Sequence, residues 1–123
     1  ILEGYHAMKR LLSREPEVDG VVCCNDQVAS GALHALKESG MQNADKVALV
    51  GFGGVAMSII TTPSITTMIA PRYELGCRAA QLLLDRINGK MGEPEKLILP
   101  SHMAIRASTL RTARKDLESM FEE

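Results

Sequence analysis

The feature that most constrains the fold is a short apolar run, Gly20 to Cys24, followed directly by the polar pair Asn25 and Asp26. A continuous apolar run of this length predicts a strand that is buried on both faces, as in a parallel sheet. Asn25 and Asp26 favour a helix start, because their side-chain oxygens can accept hydrogen bonds from the free N–H groups of a first turn. Two polar side chains are therefore expected where a buried strand ends, which is where open parallel sheets bind ligands. Taken alone, these residues favour the simpler interpretation that the pair only caps the helix, since caps are much commoner than sites.

Hydrophobic periodicity predicts an alternation of helices and strands along the rest of the chain. The predicted helices cover 3–14, 26–39 and 71–88, with a short apolar helix or loop at 55–63; the predicted strands cover 20–24, 47–52, 64–70, 96–100 and 102–107; a charged helical tail covers 110–123. Strands separated by helices predict an α/β fold, with a parallel sheet flanked by helices and joined by right-handed crossovers.

Composition excludes several classes of function for these 123 residues. A hydrophobic content of 46% argues for a folded globular chain rather than a disordered one. The net charge of -1, with Lys and Arg scattered among acids, gives no electrostatic footprint for nucleic acid. No apolar run reaches the length of a transmembrane helix, and no signal peptide is visible. Three cysteines without metal-type spacing argue for buried thiols in a reducing compartment, which favours the cytoplasm. The lack of an apolar run of transmembrane length predicts no membrane partner.

The motifs of catalysis and of metal or cofactor binding are missing from the sequence. There is no Gly-x-Ser-x-Gly, Walker loop or His-Glu-x-x-His motif. Gly51, Gly53 and Gly54 follow a predicted strand like the glycines of a phosphate loop, but they lack the full Gly-x-Gly-x-x-Gly pattern and a following Lys. Cys24 has no histidine placed to activate it. We therefore predict no catalytic residue, no metal site and no cofactor.

Six short stretches form an ordered pattern over residues 3–109. They are Gly4-Tyr5-x-Ala7-Met8-x-x-Leu11-Leu12, Gly20 to Ala32, Val47 to Phe52, Pro63 to Met68, Tyr73-x-Leu75-Gly76-x-x-Ala79, and Leu99-Pro100 with Ile105 to Thr109. Each stretch is weak alone. In this order and spacing they resemble the effector-binding region of LacI/GalR-family transcriptional regulators.

The resemblance implies a periplasmic-binding-protein-like fold, in which two α/β subdomains hold a small-molecule effector in the cleft between them. Residues 1–109 would form part of that domain: 1–69 and 102–109 most of the C-terminal subdomain, and 71–100 elements of the N-terminal one. The implied function is effector sensing and dimerisation in a DNA-binding regulator, usually a repressor, with a sugar or sugar derivative as effector. Operator DNA would be bound through an upstream helix-turn-helix that is absent from this chain. The alternative is a solute-binding protein of a transport system, which shares the fold.

The resemblance also assigns an effector site. The family residue that matches Asn25 faces the effector, which agrees with its place at a strand end. The position that matches Gly53 is commonly an acid that grips ligand hydroxyls; glycine offers only backbone there, which argues against ordinary sugar binding. Arg72 lies near the crossover between subdomains, and it is expected either to face the cleft or to be a solvated residue at a helix start.

A homodimer interface is expected over 28–36 and 55–62, because dimers of the family use these regions. The residues concerned are Ala29, Leu33, Met57, Ile59 and Ile60. Independently, the run Val55–Ile60 is too apolar for a solvated loop. The helix at 71–88 is apolar on most of its circumference and needs cover on more than one side. We expect that cover to come from residues 1–69 or from a second copy of the chain.

Overall fold

The computed structural model describes residues 1–90 and 92–111, and most of its secondary structure lies where the sequence pattern predicts it. The helices are α1 (Leu2–Arg14), α2 (Asp26–Glu38), α3 (Met57–Ile60) and α4 (Arg72–Ile87); the strands are β1 (Gly20–Val22), β2 (Ala48–Gly53), β3 (Thr66–Ile69) and β4 (His102–Ala104). From residue 112 onward, the predicted helical tail over 110–123 lies outside the described residues. None of the helices in the described part has both the length and the apolar character that crossing a bilayer requires.

The four strands form one sheet in the order β1-β2-β3-β4. β1, β2 and β3 are parallel, as the alternation of helices and strands predicts; Val22 lies opposite Val50, and Val50 opposite Thr66. β4 is antiparallel to β3 and places His102 opposite Ile69, so the sheet is mixed rather than wholly parallel. The path of the chain explains this difference. The chain leaves the sheet after β3, runs through α4 and re-enters the sheet beside the carboxyl end of β3, so β4 runs in the opposite direction to β3.

The core lies between one face of the sheet and the helices α1 and α2. Its buried apolar side chains are Met8, Cys23, Ala29, Ala32, Leu33, Ala35, Leu36, Val47, Leu49 and Ile65. The two helices approach so closely that Gly4 lies against the backbone of Val28, and Gly31 against that of Ile1. A Cβ at either glycine would overlap a carbonyl oxygen. The close approach of the two helices therefore requires glycine, which has no side chain, at both positions.

None of the described residues covers the opposite face of the sheet. Val22 is 82% exposed, and Phe52 and Met103 are 48% and 50% exposed. The prediction that the run Gly20–Cys24 is buried on both faces is therefore wrong here, although Cys23 does lie in the core. Side chains along a strand alternate between the two faces, and the helices α1 and α2 cover only one of them.

Helix α4 forms as predicted, but residues 1–90 and 92–111 leave it without cover. None of its residues is buried, and Leu83 and Ile87 are 60% and 69% exposed. The expectation that residues 1–69 cover this helix is wrong, and cover by a second copy stays a prediction. Residues 96–100 do not form the predicted strand. A strand needs a neighbour to pair its N–H and C=O groups, and no strand of the described sheet lies beside this segment.

Candidate functional site

The carboxyl ends of the three parallel strands meet at one edge of the sheet, and the predicted effector residues lie along it. Asn25 follows β1, Gly53 ends β2, and Arg72 opens α4 shortly after β3. An open parallel sheet binds its ligands at this edge, because the strands end there and the next helices begin. We call these three residues the candidate effector site.

Asn25 caps α2 and keeps a free donor. Its backbone is extended (φ -157°, ψ 169°), and its Oδ1 atom accepts a hydrogen bond from the Val28 N–H at 2.8 Å. The amide nitrogen of the same side chain has no protein partner within the described residues. Asn25 is exposed, so this donor is available to a ligand oxygen. Capping and ligand binding are therefore compatible, because they use different atoms of one side chain.

Asp26 does not share the capping role that its position in the sequence suggests. It is the first residue of α2 and is 1% exposed. Its carboxylate accepts hydrogen bonds from the Thr67 hydroxyl at 2.5 Å and from the Val55 N–H at 2.8 Å, so it holds the loop that follows β2. Sequence reasoning missed this role. The available signal was Gly51, whose missing side chain leaves room for the Asp26 carboxylate.

Gly53 and Gly54 shape the loop between β2 and α3. Both have positive φ, at 120° and 69°, a region that residues with a side chain rarely adopt. A Cβ at Gly54 would also lie 2.8 Å from the Cγ1 atom of Ile69. An acid at position 53 would be strained in this backbone conformation. The chain therefore offers a ligand backbone groups at this position and no carboxylate.

Arg72 is exposed in the first turn of α4, and its guanidinium has no hydrogen-bond or ion-pair partner among the described residues. The nearby Glu74 pairs with Arg78 instead, at 3.8 Å. Arg72 thus has a charge free for a ligand. Because no residue of α4 is buried by the described part of the chain, both interpretations made from the sequence, a cleft residue and a solvated helix start, stay open.

A shallow apolar cavity of about 430 Å³ lies on the uncovered face of the sheet. It is lined by Val22, Cys23, Cys24, Val50, Gly51, Phe52, Met68 and Met103. Asn25, Gly53 and Arg72 are not among its lining residues, so this cavity is not itself the candidate effector site. A second cavity, of about 490 Å³, lies between α4 and residues 92–95, and none of its lining residues belongs to a strand.

The three thiols differ in exposure, since Cys23 is buried whereas Cys24 and Cys77 are exposed. The prediction of buried thiols is therefore right for Cys23 and wrong for the other two, which lie beside the uncovered sheet face and on the uncovered helix. Burial, with a smaller effect of the neighbouring Cys24, raises the pKa of the Cys23 thiol to about 11. Within the described ranges, no three His, Cys, Asp or Glu side chains converge as a metal site would require.

The residues expected at a dimer interface divide into two groups. Ala29 and Leu33 are 0% and 3% exposed and lie in the core, so they have little surface left for a partner. Ile59 and Ile60 of α3 are 59% and 77% exposed, and Met57 is half-buried. Of these five residues, those on α3 present the apolar surface.

The family model described as a periplasmic binding protein-like domain matches residues 1–109 of the sequence. The chain belongs to this family. The match covers most of the chain.

Two curated relatives of this chain are transcription regulators. The HTH-type transcriptional regulator CelR of Thermobifida fusca is 36% identical over 105 residues, which are 85% of this chain and 31% of that protein. The HTH-type transcriptional repressor PurR of Pasteurella multocida is 32% identical over 106 residues, which are 86% of this chain and 32% of that protein. The chain spans about a third of the length of these relatives. The resemblance drawn from the six stretches is confirmed.

Solved structures agree with the fold. A complex of the transcriptional regulator CelR with cellobiose superposes with a TM-score of 0.82 at 36% identity, over 85% of this chain and 32% of that one. The lac repressor dimer bound to operator and the anti-inducer ONPF also superposes with a TM-score of 0.82, at 25% identity, over 89% of this chain and 33% of that one. The α/β, periplasmic-binding-protein-like fold class predicted from the sequence is therefore confirmed, with a mixed sheet.

Proposed function

We propose that this chain is part of the effector-binding domain of a transcription regulator and that it senses a small molecule at the carboxyl edge of its sheet. The observation that carries the proposal is Asn25, whose side chain caps α2 through its oxygen and leaves its amide donor free at that edge. The relatives favour a regulatory function over a transport function, since both named relatives are regulators. The complex of CelR with cellobiose supports a sugar or sugar derivative as the effector.

In this proposal, residues 1–69 and 102–109 form most of one subdomain, and 71–100 belong to a second. The exposed apolar residues of α4 and the unpaired segment 96–100 support this division, because strands and helices of a second subdomain would cover and pair them. An effector bound between two subdomains would favour one of their arrangements, and a dimer would transmit that shift to the DNA-binding elements of the whole regulator. Operator DNA is a proposed partner of the whole regulator, in the cytoplasm. The balanced charge of this chain provides no site for it.

The proposed dimer contact is α3. Its two isoleucines, Ile59 and Ile60, are more than half exposed on a helix of 4 residues, which is an unusual place for two large apolar side chains in water. The lac repressor neighbour is described as a dimer, which supports an interface in this chain too.

Titration calorimetry of the complete encoded protein with a panel of neutral sugars that includes cellobiose tests the proposed site. We expect at least one sugar to bind, and Asn25→Asp to weaken that binding by about 1–3 kcal/mol, because a donor to the ligand becomes an acceptor. Asp caps helices as well as Asn does, so thermal unfolding of this variant should be unchanged. Asn25→Ala, which also loses the cap, should weaken both binding and stability. Full affinity in Asn25→Asp, or no binding by any sugar of the panel, would contradict the proposal.

A further inference from the structure

Asp26 is a buried carboxylate that has no cationic partner among the described residues. It is 1% exposed, and no Lys, Arg or His pairs with it within residues 1–90 and 92–111. A buried carboxylate is costly unless hydrogen bonds and local dipoles stabilise its charge. The first turn of α2 supplies a favourable dipole, because Asp26 is the first residue of that helix. The carboxylate is also stabilised by two hydrogen bonds, and both donors lie outside α2.

These two bonds connect three parts of the chain. Oδ1 accepts from the Thr67 hydroxyl of β3 at 2.5 Å, and Oδ2 accepts from the Val55 N–H, in the loop after β2, at 2.8 Å. The Gly54 N–H in turn donates to the Thr67 hydroxyl oxygen at 3.4 Å. The N–H groups of the successive residues Gly54 and Val55 therefore donate to Thr67 and Asp26, which are bonded to each other.

The Gly53–Val55 loop combines two glycines of positive φ with hydrogen bonds to this pair. Gly53 and Gly54 both have positive φ, and glycine loses more conformational freedom on ordering than any other residue. On its other side, the Val55 carbonyl accepts from the Ser58 hydroxyl at 2.7 Å. The Arg106 guanidinium donates to that hydroxyl at 3.0 Å. Val55 is thus held at both its N–H and its C=O. Within the described residues, Gly54 has only its bond to Thr67 outside the sheet.

We propose that Asp26 is a positioning residue of the candidate effector site, because its carboxylate fixes the Gly53–Val55 loop in the conformation that borders the cleft. The inference rests on the proposed function, since it requires this loop to lie beside the effector. A role in starting α2 alone would not require burial, or bonds to β3 and to the loop. The close fit around the carboxylate supports the proposal, because a Cβ at Gly51 would overlap Oδ1. Asp26 would act on the ligand only through the backbone that it orders.

Amide hydrogen exchange, measured by NMR on the 123-residue chain without effector, tests this role. In Asp26→Asn the charge and one acceptor are lost. The exchange rate of the Val55 N–H should therefore rise, relative to the unmodified chain, by a factor at least about ten times larger than that of the Leu36 N–H. Leu36 is the reference because it lies in the core part of α2. Thr67→Val keeps the shape of the side chain and removes the hydroxyl, so it should accelerate exchange of the Gly54 N–H in the same selective way.

The matched control is Ser108→Ala. Its hydroxyl is also buried and also links two strands, since it donates to the Leu49 carbonyl at 2.6 Å and accepts from the Thr66 N–H at 2.8 Å. These contacts lie toward the amino ends of β2 and β3, away from the loop. We expect this variant to be destabilised with parallel changes at Val55 and Leu36, as global unfolding requires.

Two outcomes separate this inference from the proposed function. If exchange at Val55 follows exchange at Leu36 in both Asp26→Asn and Thr67→Val, the positioning role is overturned, whatever the complete protein binds. Selective acceleration at Val55 and Gly54 supports the positioning role even if no sugar binds the complete protein. In that case only the proposed function fails, because the exchange measurement uses no effector.

Discussion

Asn25 and Asp26 are neighbours in sequence, yet their side chains meet opposite environments. Asn25 is exposed and bonds the first turn of α2 at 2.8 Å through one oxygen. Asp26 is buried and bonds β3 and the loop after β2. The chain turns from strand to helix between them, so one side chain stays at the sheet edge and the next enters the space left by Gly51. Of these two adjacent residues, Asn25 thus has a side chain available to a ligand, and Asp26 has one that orders the backbone.

Alkylation should distinguish Cys23 from the other two thiols. Because burial raises the pKa of Cys23 to about 11, almost none of it is thiolate near neutral pH, and the thiolate is the reactive form. Iodoacetamide at a pH of about 8 should modify Cys24 and Cys77 in the folded chain, and Cys23 only after unfolding in urea, as counted by mass spectrometry. Raising the pH toward the pKa of Cys23 should increase its reactivity in the folded chain. Equal rates at all three thiols in the folded chain would contradict this prediction.

At the scale of secondary-structure elements, the pairing of α1 with α2 combines a close backbone approach with a polar contact at the surface. The Tyr5 hydroxyl of α1 donates to the Glu38 carboxylate of α2 at 2.7 Å, and the Lys9 ammonium lies 3.3 Å from the same carboxylate. Both contacts lower the pKa of Glu38, that with Tyr5 more than that with Lys9. A lowered carboxyl pKa means that this contribution to stability is present above the ordinary pKa of glutamate and is lost as the pH falls through the lowered value.

Gly31→Ala should separate the two helices. A Cβ at this position would overlap the Ile1 carbonyl oxygen, so the backbones must move apart, and overpacking of this kind typically costs about 1–3 kcal/mol. Gly76→Ala is the matched control within α4, because a Cβ there meets no other atom within 4 Å. That variant should gain helix stability of up to about 1 kcal/mol. Urea unfolding followed by circular dichroism measures both, and an unfolding midpoint in Gly31→Ala equal to that of the unmodified chain would contradict the close packing.

At the scale of the whole molecule, the described residues cover the sheet on one side only. Helices α1 and α2 cover one face of the sheet, while the other face and the whole of α4 carry exposed apolar side chains. The exposed large apolar groups include Val22 and Phe52 on the sheet, Leu83 and Ile87 on α4, and Ile59 and Ile60 on α3. Water contact with so much apolar surface is unfavourable, so the chain is expected to associate with another protein surface.

Ile60→Asp should shift the chain toward monomers if α3 forms the dimer contact. A charge buried at an apolar interface without a partner is strongly unfavourable, whereas the same charge on a monomer is solvated, because Ile60 is 77% exposed. Sedimentation velocity measures the change. Leu33→Asp should instead unfold the chain, because Leu33 is 3% exposed within the core. Unchanged sedimentation in Ile60→Asp, together with a folded Leu33→Asp monomer, would contradict the assignment of the interface to α3.

The sequence by itself determined the features that depend on near neighbours along the chain. Helix limits follow from apolar spacing and from turn residues, which is why α1, α2 and α4 lie within about two residues of their predicted limits. The placement of Asn25 followed in the same way, because capping is a local hydrogen bond between residues three apart. The order of helices and strands was sufficient to predict parallel pairing of β1, β2 and β3. The family could be recognised because its motifs are local too.

Only the tertiary structure decided which apolar residues are buried and which polar groups meet across the chain. The same apolar pattern gave a buried Cys23 and an exposed Val22, because burial depends on what lies against each face and the helices cover one of them. Residues 96–100 carry a strand pattern, but no strand of the described chain lies beside them, and pairing requires one. Leu33 could not be separated from Ile60 by hydrophobicity, although one lies in the core and the other on the surface. The hydrogen bond between Asp26 and Thr67 joins residues 41 positions apart in the sequence. At that separation, only the fold of the backbone determines that the two side chains come into contact.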